Sequence, residues 1–379
     1  MRLALFLSFK ASLTKWHREG ILSREIQIYV RHLERGYCDE VVIFSYDPAD
    51  HEALALVDCR PDIRARFRLV TPRTKATGNL SGLLHSLNLG LLWKLSRSGV
   101  SLSKTNQISG SWPALILRLF GVPLFARCGY LLSRRLFKNR QALRGTVALL
   151  IEAVLFNGAR LVSVTTESAK AEISRLILWR KGKVFVAPTY VDTELFAPDP
   201  DHVPEPGTLV FVGRLEPQKN VRAIAEAVAQ TGMALIMVGD GSERPAVEAI
   251  IQRTGARVTI IPRMQNMEIS ALFRQHRLFL LGSLHEGLPK VLIEAMSAGM
   301  VAIGSPIPGI VELVEDQRTG YLARSVAAED LAEAIRRAMA DQASHPAISA
   351  AARARILARH SLDTYATREN SEMRRAIGL

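Results

Sequence analysis

Between residues 208 and 305 five short apolar runs recur: TLVFVG, ALIMVG, VTIIP, LFLLGS and VAIGS, each bounded by a turn residue and followed by a helical pattern. Continuous apolar strands must be covered on both faces. A strand, helix, strand order joins neighbours by right-handed crossovers, so this stretch builds a parallel sheet with helices on either side. The first half repeats the pattern less regularly, with predicted strands over 3–7, 41–46, 67–71, 101–107, 123–128 and 161–166. Helices are predicted over 22–35, 79–97, 111–120 and 131–158.

A chain of 379 residues exceeds one ordinary core, and the prior of roughly 150 residues per domain favours two. Residues 183–207 carry five prolines and several acids, as a domain connection does. The predicted class is therefore α/β, with two Rossmann-like doubly wound domains facing a cleft, one over 1–185 and one over 186–360. A C-terminal helix over 361–379 is expected to pack back across the linker. In such sheets ligands sit at the C-terminal ends of the strands.

The net charge of +13 is unevenly placed: residues 1–185 carry +16 and residues 186–379 carry −3. Between Asp62 and Glu152 there are 15 basic residues and no acidic one. This one-sided field calls for an anionic partner, whether a nucleic acid, an anionic membrane surface or an anionic substrate. Aromatic residues make up only 6% and no nucleic-acid motif occurs, which argues against the first. Segment 129–145, GYLLSRRLFKNRQALRG, sets Leu132, Leu136 and Phe137 at helical spacing among Arg134, Arg135, Lys138, Arg140 and Arg144. An ordinary half-buried helix is the plain alternative, but the pattern favours peripheral binding to anionic lipid.

Cys38, Cys59 and Cys128 share no metal or redox spacing, which fits a reducing compartment. MRLALFLSFK reads as a first strand instead of a leader, and VALLIEAVLF at 147–156, interrupted by Glu152, is too short to span a bilayer. The expected location is cytoplasmic, with peripheral attachment to the inner face of the cytoplasmic membrane.

Three post-strand loops of the second half suit a phosphorylated ligand. RLEPQKN places Arg214 and Lys219 five residues apart, enough to clamp two phosphates. DGSERP opens a helix with a tight turn. HEGLP precedes an apolar helix delimited by Pro289 and Gly299, whose free N–H groups favour an anion. Glu286 then lies in the loop, and Glu294 lies within the helix, five residues past Pro289 or about 7.5 Å along its axis. Carboxylates accept hydrogen bonds from vicinal diols, so a ribose and a sugar ring are the economical ligands for the two glutamates. The pattern predicts a nucleotide-sugar.

Glu286 and Glu294, spaced E-x7-E inside EGLPKVLIEAMSAG, together with VGRLEPQKN, VGDG and DTELFAP, resemble the retaining family 4 glycosyltransferases of the GT-B fold, over roughly residues 161–325. The resemblance implies that Arg214 and Lys219 neutralise the donor diphosphate without a metal. It implies that Glu286 contacts the transferred sugar and Glu294 the ribose. Gly213 and the backbone of Gly287, Leu288, Pro289 and Lys290 would line the phosphate and sugar subsites, and the loop holding Arg263 and Met264 would border the base. The catalytic set would be Glu286, Arg214 and Lys219.

The resemblance further implies a UDP-sugar or GDP-sugar as substrate, no cofactor, retained configuration and an acceptor on the N-terminal domain. The candidate acceptor-side residues are Gly20, Asn106 and Arg127. The first loop, SFKASLTKWHREG, lacks the family's usual Gly-Gly, and PTYVD lacks its Asn-Gly, so the acceptor is not named by these motifs. TNQISGSW and RCGY are loosely similar to bacterial transferases of surface polysaccharide assembly, with a glycan or lipid-linked acceptor.

A GT-B epimerase of nucleotide-sugars and an inactive scaffold are the alternatives. VGDGSE lacks GxGxxG, which disfavours a dinucleotide oxidoreductase. His17, His85 and His285 have no ligand spacing and read as packing or surface residues.

Overall fold

The computed structural model describes residues 1–378 apart from 77, 109–111, 130, 139 and 180. Parts of TNQISGSW, RCGY and the basic segment 129–145 therefore lie outside the described residues. The chain divides into one unit of residues 1–188 with 365–379 and a second of residues 189–364. The last helix, Leu362–Ile377, thus begins in the second unit and runs into the first.

The first unit is built on Arg2–Phe6 (β1), Glu40–Phe44 (β2), Phe67–Val70 (β3), Leu102–Thr105 (β4), Leu124–Cys128 (β5), Leu161–Val164 (β6) and Val184–Val186 (β7). These pair in parallel in the order β3-β2-β1-β4-β5-β6-β7. The second unit comprises Glu205–Val212 (β8), Ala234–Val238 (β9), Arg257–Ile261 (β10), His276–Leu281 (β11), Val301–Gly304 (β12) and Gly320–Leu322 (β13). They too are parallel, in the order β10-β9-β8-β11-β12-β13. Both units are Rossmann-like, with fully buried central strands such as β4, β6 and β12. The strand order reverses between β1 and β4 in one unit and between β8 and β11 in the other. Those two points open the crevices where doubly wound sheets bind ligands.

Several expectations need correction. β7 lies inside the stretch assigned to the linker, and β13 has no counterpart in the apolar pattern, because three-residue edge strands carry too few side chains to show a period. The helix expected over 79–97 is two, Asn79–Ser86 and Leu89–Ser96, because Asn88 caps the second by accepting from the Leu91 N–H at 3.0 Å. The helix expected over 131–158 is also two, Leu132–Lys138 and Ala142–Gly158, broken where Arg140 takes a φ of 57°. Glu152 explains why an acid interrupts the apolar tract. Its buried carboxylate accepts from the N–H groups of Leu132 (2.6 Å) and Ser133 (3.2 Å) and from the Ser133 hydroxyl (2.5 Å), capping the neighbouring helix.

No helix among the described residues is long and apolar enough to cross a membrane. Cys38 and Cys128 are buried, and burial pushes the Cys38 thiol up to about 12.

A buried charge cluster joins the last helix to the first sheet. The Lys104 ammonium on β4 donates to both Glu369 oxygens at 2.7 Å, His32 Nε2 lies 2.8 Å from Glu369 Oε2, and the Tyr365 hydroxyl donates to Oε1 at 3.1 Å. Lys104, Glu369 and His32 are all essentially inaccessible. The Tyr29 and Phe125 rings lie 4.8 and 5.3 Å from the ammonium and spread the cost of burying it. Burial raises the Glu369 carboxyl, but the Lys104 charge and the His32 hydrogen bond outweigh it and hold the group far below the usual carboxylate range. Burial lowers His32 and keeps the ring neutral.

Both groups bind fewer protons folded than unfolded. Their contributions are complete above the unfolded values of about 6.5 and 4.3, and are lost as pH falls through the folded ones. The urea midpoint should therefore decline from near pH 6.5 downward. Glu369→Ala strands the lysine and should cost about 3–5 kcal/mol, whereas pairing Lys104→Met with Glu369→Leu should restore most of that loss. Equal losses in the two variants, measured by urea denaturation at pH 7, would contradict this reading.

Candidate functional site

All six strands of the second sheet run the same way, so the loops that follow them share one edge. The loop after β8, residues 213–220, and the loop after β11, residues 282–289, flank the reversal between those strands. Backbone packing draws the neighbouring loops together. The Leu215 N–H donates to the Asp240 carbonyl and the Gly213 N–H to the Val238 carbonyl, both at 2.9 Å. Gly239, at a φ of 143°, leaves so little room that a Cβ would stand 1.9 Å from the Gly213 carbonyl oxygen. A Cβ on Gly309, in the short helix Pro308–Val311 that follows β12, would stand 2.1 Å from the Gly287 oxygen. Only glycine allows these loops to lie backbone on backbone.

Across the reversal the Lys219 ammonium meets Glu286 Oε1 at 2.5 Å, with both side chains largely shielded. The Ser283 hydroxyl donates to the same oxygen at 2.9 Å. Gln218 Nε2 donates to the His285 carbonyl at 2.9 Å and reaches toward Glu286 Oε2 at 3.5 Å. Asn220, at a φ of 55°, donates through its side-chain amide to the carbonyls of Gly282 (3.0 Å) and Val326 (2.8 Å), clamping the first loop to the second. Arg214 is exposed, without a side-chain hydrogen bond or ion pair among the described residues. One cation is thus fixed to a carboxylate, while another on the same loop is open to a ligand.

The helix after this loop spans Lys290–Ser297. Pro289 is its N-cap and does not enter the first turn as expected, because a ψ of 107° keeps it extended. Gly299 takes the left-handed conformation past the C-terminus, at a φ of 86°. Glu294 sits inside this helix and is buried. Lys290 lies over the Tyr190 ring at 5.3 Å. Gly287 is exposed and Leu288 half-buried. Arg263, exposed, and Met264, half-buried, follow β10, the edge strand two places from β8.

The acceptor-side candidates fall on three different elements of the first unit. Gly20 closes the turn after the helix Leu13–Arg18 at a φ of 70°, Asn106 directly follows β4, and Arg127 lies within β5 and not in a loop. Asn106 is 5% exposed, and its side-chain oxygen has no hydrogen-bond partner among the described residues. His85 is a packing residue, stacked on Phe44 at 4.6 Å and bonded to the Ser45 carbonyl at 2.9 Å. Sequence reasoning missed Gln218, Asn220 and Ser283, which hold Glu286 and its loop. Their only sequence signal was a position inside the motifs already singled out.

Two Rossmann-like parallel sheets, the second bearing this cation and carboxylate pair at its reversal point, make the architecture that of the GT-B glycosyltransferases. Residues 192–355, within the second unit, match the family described as Glycosyl transferases group 1. The GDP-mannose-dependent alpha-mannosyltransferase of Mycobacterium tuberculosis is 25% identical over 54% of this chain and 49% of its own. The alpha-D-kanosaminyltransferase of Streptomyces kanamyceticus is 29% identical over 35% of this chain and 36% of its own. The aligned region thus spans half or less of these relatives. Among solved structures, sucrose-phosphate synthase from Thermosynechococcus elongatus has a TM-score of 0.73 at 21% identity, covering 100% of this chain and 99% of that one. Anabaena Alr3699/HepE in complex with UDP has a TM-score of 0.73 at 18% identity, covering 98% and 99%. These structures share the fold.

Gly239→Ala should lower stability by about 1–3 kcal/mol, because the loop after β9 must retreat from the Gly213 carbonyl. Gly232→Ala is the control, since it also has a positive φ but meets nothing within 4 Å. A smaller loss in urea for Gly239→Ala than for Gly232→Ala would show that the close approach is not limiting.

Proposed function

We propose that the protein is a retaining glycosyltransferase that moves a sugar, of the hexosyl type, from a UDP-sugar or GDP-sugar to a hydroxyl of a glycan or lipid-linked acceptor. The observation that carries this reading is the 2.5 Å contact of Lys219 with Glu286 at the β8/β11 reversal, beside the exposed Arg214. A lysine ammonium has three donors, so one spent on Glu286 leaves two for a phosphate oxygen. Arg214 and Lys219 together balance the charge that develops on the departing diphosphate, and no metal is needed for that task. Glu286, oriented by Lys219 and Ser283, accepts from the hydroxyls of the transferred sugar. Glu294 serves the ribose, and the loop with Arg263 and Met264 borders the base.

Retention follows from attack on the face the diphosphate leaves, with the leaving phosphate as base, so the mechanism calls for no protein nucleophile. The similarity to a GDP-mannose-dependent alpha-mannosyltransferase supports a nucleoside-diphosphate donor. The first unit takes the acceptor. A role in cell-surface polysaccharide synthesis fits a cytoplasmic enzyme held at the inner face of the membrane.

Of UDP, GDP, ADP and CMP offered in EDTA, one of the diphosphates should bind at millimolar levels or tighter. Arg214→Ala should lose that binding, and Glu286→Gln should lower kcat by about 10²–10³-fold with the nucleotide still bound. Failure of all four to bind would sink the transferase reading in favour of a scaffold.

The peripheral attachment rests on the helix Ala142–Gly158, which exposes Leu143, Val147, Leu150 and Val154 alongside Arg140 and Arg144. Each basic residue near an anionic surface contributes about 1 kcal/mol. In flotation at low salt the protein should rise with vesicles containing anionic lipid and stay behind with purely zwitterionic ones. Equal recovery with both would refute it.

A further inference from the structure

The reversal point of the first sheet, between β1 and β4, is flanked by two pockets of opposite character. The loop after β1 supplies Lys10 to a pocket of about 170 Å³ that is also lined by Lys15, Arg18, Lys75 and Tyr46. Four cations line it against one carboxylate, Asp47, which is itself paired with Lys75 at 2.9 Å. The free N–H groups at the start of the nearby helix Leu13–Arg18 are already taken: Asp50 accepts from Leu13 at 2.8 Å and Thr14 at 2.9 Å, and Ser12 from Lys15 at 3.0 Å. The attraction for an anion therefore comes from the side chains.

On the β4 side lies a pocket of about 470 Å³, walled mainly by apolar side chains such as Ile108, Trp112, Leu136, Val147 and Ile151. That volume is in the range of about 300–1,000 Å³ typical of small-molecule sites. Its one acid, Glu152, already accepts three hydrogen bonds, and its one cation, Arg144, is exposed. A sugar or nucleoside placed there would leave hydroxyls unpaired. A hydrocarbon chain would not.

One side chain joins the two pockets. The Phe9 ring lies 5.7 Å from that of Tyr46, which lines the basic pocket, and 5.1 Å from that of Trp112, which lines the apolar one. Trp112 is oriented by its indole N–H, which donates to the buried Ser86 hydroxyl at 2.9 Å. Phe9 thus touches one wall residue of each pocket.

We infer that this edge binds an anionic amphiphile, with its phosphate-like head among Lys10, Lys15, Arg18 and Lys75 and its hydrocarbon chain across Phe9 in the pocket beside Trp112. The charge of the surrounding chain, 15 basic residues and no acid between Asp62 and Glu152, complements such a head. The inference rests on the transferase reading, in which this unit takes the acceptor, and it narrows that acceptor to a lipid-linked anion.

Dodecyl phosphate, titrated below its micelle concentration into the full chain, tests the inference against inorganic phosphate and the neutral dodecyl maltoside. It should bind at least about tenfold tighter than either, since head and chain each add to the affinity. Lys15→Glu combined with Arg18→Glu should remove the advantage over the neutral detergent. Val147→Asp, at a half-exposed position of the apolar wall, should remove the advantage over inorganic phosphate. Dodecyl phosphate binding no better than phosphate, or no better than dodecyl maltoside, would overturn the inference, as would full binding by both variants. Nucleotide binding measured on the same samples separates the two ideas. Its absence in the unaltered chain counts against the transferase, and an unchanged urea transition shows that the variants, which lie in the first unit, are folded.

Discussion

The contact between the Lys219 ammonium and Glu286 depends on backbones that approach more closely than any side chain would allow. The loops after β8 and β9 rest on one another at Gly239, and the loop after β11 rests on the short helix Pro308–Val311 at Gly309, where a Cβ would fall within about 2 Å of a carbonyl oxygen. That stacking narrows the edge of the sheet, and Asn220 then bolts the first loop to the carbonyls of Gly282 and Val326. A lysine and a glutamate 67 positions apart in the chain become neighbours. With its partner so placed, Glu286 is held in orientation before any ligand arrives, which is what electrostatic stabilisation of a developing charge requires.

The first unit uses charge in the opposite way. Lys104, Glu369 and His32 are sealed from solvent, and their mutual hydrogen bonds satisfy groups that would be costly alone. This cluster attaches residues 365–379 to a sheet through Lys104, 265 positions before Glu369 in the chain. Glu152 is a smaller case of the same principle: a carboxylate in an apolar tract that ends a helix instead of performing chemistry. Other cations stay at the surface, such as Arg214 in one unit and Lys15 and Lys75 in the other.

Much of the second unit was legible in the sequence. Its apolar runs are long enough to show their period, and five of its six strands lie within a few residues of their predicted positions. The first unit was less so. β7 hid in a proline-rich stretch, and two long helical patterns concealed breaks set by Asn88 and Arg140, single residues whose caps and dihedrals leave the apolar period unchanged. Among the candidate site residues, Arg214, Lys219, Glu286 and Glu294 could be chosen because they share motifs. Gln218, Ser283 and Phe9 could not, since their roles consist of what they touch.

The sequence alone determined the α/β class, the parallel sheets and the shared edge on which the post-strand loops emerge, because hydrophobic periodicity and turn residues act locally and survive in one dimension. Only the tertiary structure decided which charges are paired and which are open. It fixed Lys219 to Glu286, left Arg214 exposed, buried Lys104 against Glu369, and put Phe9 within reach of both Tyr46 and Trp112. Strand order is the reason. The reversals at β1/β4 and β8/β11 bring distant loops side by side, and no local pattern records which strand will pair with which.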